Sequence, residues 1–157
     1  MKPNIGIAGK EREAVVEILN ALLSDEYVLY TKTRHAHWNV KGPHFNDLHK
    51  FFEAQYEQVD DIVDETAERA RSLGGAALGS LADFLKHARL KEGLKASASA
   101  KEMVSTLLAD HEAVIVGLRR DLDACAAKHG DMGTSDFLTG LMERHEKMAW
   151  MLRSVLE

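Results

Sequence analysis

His49, Glu53, Asp64 and Glu68 are four metal-capable side chains on one uninterrupted run of residues. At roughly 100° per residue they fall at about 0°, 40°, 60° and 100° around a helix, counted from His49. The apolar seam of the same run is Phe45, Leu48, Phe52, Tyr56, Val59, Val63, Thr66, Ala70 and Leu73, and it centres near about −60°. The polar stripe therefore flanks the buried face. His49 with Glu53, and Asp64 with Glu68, are i,i+4 pairs, and each pair can reach one ion. Glu53 and Asp64 lie ~16 Å apart along the axis, so one helix cannot bring both pairs to one metal. An antiparallel copy across a two-fold axis can, because residue i then faces j and j faces i. With the axis between positions 58 and 59, 49 faces 68 and 53 faces 64, and both sums are 117. Two equivalent nests result, each with one imidazole and three carboxylates from two chains. Such sets suit iron and manganese, whereas thiolates suit zinc or copper(I). The plain alternative is a solvated charged edge with accidental spacing, since the run also holds Glu57, Asp60, Asp61 and Glu65.

The elements that must carry these groups are helical. Segment A spans about Glu11–Trp38, with Val15, Ile18, Leu22 and Leu29 recurring every three or four positions. Gly42-Pro43 stops it. Segment B spans about Phe45–Leu73 and ends at Gly74-Gly75, a C-cap pattern. A connector, Ala76–Ala98, holds one short amphipathic piece, Leu81–Leu90. Segment C spans about Ala100–Lys128, opened by a Ser99/Glu102 capping box. After a loop at Gly130–Gly133, segment D runs from about Asp136 to the end, with Thr134 or Ser135 as cap. Four helices with one long crossover predict an all-α, ferritin-like four-helix bundle with a short extra helix in the B–C crossover. A generic bundle without chemistry is the alternative. The 157 residues fit one domain, 1–157, preceded by a short tail over 1–10.

Segment A ends His35-Ala36-His37-Trp38-Asn39. His35 and His37 point about 200° apart on a helix and cannot share an ion there. His44, His87, His111, His129 and His145 form no metal spacing and are assigned no role. No Glu is followed three residues later by His, so the usual di-iron centre inside one bundle, built on two Glu-x-x-His motifs, is not expected. The single Cys125 excludes an internal disulfide and a Cys-based zinc site. No stretch approaches the ~18 apolar residues of a membrane span, and Met1–Gly9 lacks a signal-peptide core. A cytoplasmic location is the expectation. A net charge of −5 disfavours nucleic acid as main partner and suits the gathering of cations.

The run His37-Trp38-Asn39-Val40-Lys41-Gly42-Pro43, with Phe45, His49 and Glu53, resembles the Dps mini-ferritins (DNA-binding proteins from starved cells). So does Asp64-Glu65-Thr66-Ala67-Glu68-Arg69-Ala70 followed by Leu73-Gly74-Gly75. The likeness extends from segment A to segment D. It implies a hollow homo-dodecamer that oxidises iron(II), typically with hydrogen peroxide, and stores the mineral inside. It further implies that His37, His49 and Glu53 from one subunit meet Asp64 and Glu68 from its mate, in agreement with the sum of 117. Glu53 stands where the family more often has Asp, a carboxylate one methylene shorter. Trp38 would sit beside the site and take up oxidising equivalents, its bland alternative being interface packing. Asp131 and Asp136 would line acidic three-fold pores, although Asp136 also fits a first-turn acid that complements the helix dipole. The family name suggests DNA compaction as an alternative function. Here the residues before segment A offer only Lys2 and Lys10, then Arg12, and twelve copies would carry about −60, which opposes a polyanion.

Overall fold

The computed structural model describes residues 3–157; Lys2 lies outside them. Five α-helices form, and no strand occurs among the described residues. Helix α1 is Gly9–Asn39, α2 Phe45–Ser72, α3 Leu81–His87, α4 Ala100–Asp123 and α5 Met132–Leu156. No helix among the described residues is long and apolar enough to cross a membrane. The chain is an all-helical, ferritin-like bundle, as the periodicity predicts. Leu19, Leu22 and Leu29 of α1, Phe52 and Ile62 of α2, Leu107 and Leu118 of α4, and Leu138, Leu141 and Met148 of α5 are buried together as its core.

Antiparallel α1 and α2 turn through Gly42, whose φ of +117° suits a residue without Cβ. Antiparallel α4 and α5 form the second pair. Leu48, Ala100, Val104 and Leu156 line one end of the bundle, so α4 starts beside the start of α2. The connector must therefore run the length of the bundle. Asp25 pins it: its Oδ1 accepts from the backbone N–H groups of Arg89 and Leu90, at 2.5 and 2.9 Å. Arg89 in turn spans Asp25 at 2.6 Å and Asp121 at 2.8 Å.

Several boundaries differ from the expectation for local reasons. The tail is shorter, because α1 begins at Gly9. Helix α3 ends at His87 rather than Leu90 because Arg89 and Leu90 turn their N–H groups to Asp25. The Ser99/Glu102 capping box forms, but the α-helical part of segment C stops at Asp123. A π-helical turn, Ala124–Lys128, completes it. Helix α5 starts at Met132, not Asp136, and its cap is Asp131, not Thr134 or Ser135. The carboxylate of Asp131 accepts from the Thr134 N–H at 2.9 Å, which is what an N-cap must do.

The start of α1 packs on the end of α2. Gly74 takes φ +88°, and the Gly75 N–H bonds the Ala70 carbonyl at 3.1 Å, closing α2 with a left-handed cap. A Cβ on Gly75 would press into both methyl groups of Val16. Gly75→Ala is therefore expected to cost about 1–3 kcal/mol by overpacking. Val16→Ala in the same chain should recover part of that loss in urea titrations; no recovery would refute the contact.

Candidate metal centre

His37 lies two residues from the end of α1, and His49 sits in the second turn of α2. The sharp α1–α2 turn stacks their rings at 3.8 Å between centroids and 17° between planes. His37 Nδ1 is 2.8 Å from the backbone carbonyl oxygen of His49, and His49 Nδ1 is 2.8 Å from that of His37. A carbonyl oxygen only accepts, so both Nδ1 atoms must carry the proton and donate. That leaves Nε2 as the only ring nitrogen able to bind a metal. A second hydrogen bond that fixes tautomer and ring angle is the usual support of a metal-binding imidazole. Sequence spacing set His37 apart from His35 but not beside His49; only the resemblance joined it to the site.

Glu53 follows His49 by one turn on α2 and is half-buried, while Asp64 and Glu68 are exposed further along the same helix. The protomer brings His37, His49 and Glu53 to one end of α2. It does not bring Asp64 or Glu68 to them. Among the described residues no three His, Cys, Asp or Glu groups already converge on one point. The donor chemistry at the His37–His49 end nevertheless fits iron(II): two imidazoles with Nε2 unengaged by the Nδ1 contacts, beside a carboxylate.

Trp38 is 64% exposed. The guanidinium of Arg34 lies over its ring at 5.2 Å, and also over Tyr30 at 5.4 Å and Tyr56 at 5.0 Å. The edge of Tyr56 meets His37 at 5.3 Å. Burial, then the negative charge of Glu53, pushes the Tyr56 hydroxyl above the ordinary tyrosine range. Sequence reasoning missed this support. Its signal was the i,i+4 ladder Tyr30-Arg34-Trp38, which puts three side chains on one helix face.

Asp131 and Asp136 part company. Asp136 is exposed, as a pore acid must be. Asp131 is 2% exposed, and its carboxylate is engaged inside the protomer. Besides capping α5 it accepts from Thr134 Oγ at 2.5 Å and pairs with Arg69 at 3.3 Å. Asp131, expected as a pore acid, thus has its carboxylate surrounded by donors of its own protomer, as a buried polar group requires.

The ferritin-like domain family matches residues 16–157. "DNA protection during starvation protein 2" of Bacillus anthracis is 36% identical over 142 residues, covering 90% of this chain and 96% of that protein. The chain belongs to the Dps family of ferritin-like proteins. An uncharacterised low temperature-induced protein of Nostoc sp. is more similar in sequence, at 47% over 154 residues, covering 98% of this chain and 86% of that one. Among solved structures, the Dps of Bacillus brevis superposes with a TM-score of 0.89 at 36% identity, covering 94% of this chain and 98% of that one. The Dps of Vibrio cholerae, described as a member of a broad superfamily of ferritin-like diiron-carboxylate proteins, gives 0.92 at 31% identity, covering 99% and 97%.

Proposed function

We propose that this Dps oxidises iron(II) at a site shared by two copies and stores iron(III) inside a hollow shell of twelve. The observation that carries the reading is the reciprocal His37–His49 lock, which fixes two imidazoles side by side with their Nε2 atoms left for a metal. The two-fold register derived from the sequence would add the Asp64 and Glu68 carboxylates from a second copy. Membership in the Dps family supports iron as the metal and a stress role.

In the proposed reaction two iron(II) ions each lose one electron, and one hydrogen peroxide with two protons becomes two waters. Charged carboxylate oxygens favour the harder iron(III) and so favour the electron loss. Trp38, exposed and next to His37 in sequence, is assigned the unpaired oxidising equivalent left when a single iron reacts. Asp136 is assigned to the entry pore, where negative charge concentrates cations. DNA compaction is not part of the proposal, since the net charge of −5 works against it.

The test is to mix iron(II) and peroxide with the wild type and with a His49→Ala, Asp64→Ala variant, following iron(III) absorbance. The variant should fall to the rate of iron in buffer. Equal rates would remove the site assignment.

A further inference from the structure

Glu26 on α1, His111 on α4 and His145 on α5 meet inside the bundle, each 0% exposed. His111 Nδ1 is 2.9 Å from His145 Nδ1. His145 Nε2 lies 3.0 Å from Glu26 Oε1, near enough to balance charge but not aligned as a hydrogen bond. Among the described residues, neither Glu26 oxygen nor His111 Nε2 has a hydrogen-bond partner. Buried polar atoms are rarely left so, and the proposed iron chemistry uses none of these three residues.

A nitrogen–nitrogen contact of this length holds one proton, because one Nδ1 must donate while the other accepts. If both rings were protonated, two N–H groups would face each other and one carboxylate would balance two cations. We propose that Glu26, His145 and His111 form a one-proton clasp joining α4 to α5, which opens when a second proton enters. The α4–α5 seam then loosens in acid before the α1–α2 pair does.

Outside the cluster, the buried groups packed around it offer the second proton no home. The buried residues of α2 (Leu48, Phe52, Gln55, Val59, Ile62, Thr66 and Ala70) include no titratable group, and α3 buries only Phe84. On α1 the other buried charges are Asp25, held by Arg89, and Lys32, held by Asp110 of α4 at 2.5 Å. The remaining buried histidines, His37 and His129, bond the His49 carbonyl and Glu11 respectively, while buried Asp131 is tied to Arg69. Burial, and next the charge of His145, hold His111 well below the ordinary histidine value of 6.5. A base depressed in the folded state binds fewer protons folded than unfolded. Its stabilising effect is complete above 6.5 and is lost as the pH falls below that value.

Hydrogen–deuterium exchange of the assembled protein between about pH 7.5 and pH 5.5, corrected for intrinsic rates, tests this. Protection around positions 111 and 145 should fall by up to about tenfold per pH unit below the ordinary histidine value, while α1 and α2 hold. In His111→Gln, which puts a neutral amide at the contact, the selective fall should vanish. An equal loss across all four long helices, or no loss, overturns the clasp from the wild type alone, even where the variant fails to fold. A fall in His111→Gln matching the wild type overturns it too.

Discussion

Co-assembly of His49→Ala subunits with Asp64→Ala subunits should restore iron oxidation that neither variant shows alone. If each site takes its imidazole end from one copy and its carboxylate end from the other, each single variant damages every site. A mixed pair differs. One of its sites joins both damaged halves, and the other joins both intact halves. Random pairing makes half of all dimers mixed, so about a quarter of the sites should be whole. Peroxide-driven oxidation in the mixture should reach about that fraction of wild type, from a baseline near iron in buffer. A site contained in one chain would give nothing beyond the average of the two variants. The experiment therefore separates shared from private ligands, and it uses only position 49 at one end and position 64 at the other. Unfolding and refolding the two proteins together, against refolding each alone before mixing, supplies the control for exchange.

Asp131→Ala should cost about 2–4 kcal/mol of unfolding free energy, more than a lost helix cap alone. The carboxylate caps α5 through the Thr134 N–H and accepts from the Thr134 hydroxyl. It also faces Arg69 at 3.3 Å, an ion pair whose acid is almost fully buried while the arginine is about one-quarter exposed (3% against 28%). Partial exposure of Arg69 keeps the loss below that of a fully buried pair. Asp136→Ala should change stability by less than ~0.5 kcal/mol, as expected for an exposed position, yet it should slow iron uptake if Asp136 lines the pore. Denaturant titration together with uptake rates for both variants decides between the roles. A stable Asp131→Ala protein with slowed uptake would return Asp131 to the pore.

Most of the bundle is legible in the sequence because helix burial repeats with a fixed period. Segments B and C, the Ser99/Glu102 box and the Gly74-Gly75 stop all sit close to where the pattern predicts them. One misplaced boundary arises where a side chain from elsewhere claims the backbone. Asp25 of α1 takes the N–H groups of Arg89 and Leu90 and ends α3 early. The cap at Asp131 is not legible in the sequence, because a capping carboxylate and a solvent-facing one look alike in a string of letters.

By itself the sequence determined the helices, the stripe on α2 and a spacing that permits two reversed copies to complete one another. These follow from rise and turn per residue, which depend only on position in the chain. The tertiary structure decided that His37 and His49 lock each other's tautomer. It also placed Arg34 over Trp38 and buried Glu26, His111 and His145 together. Those contacts depend on how separate helices pack, and no periodicity along one helix encodes which side chain of another will lie against it.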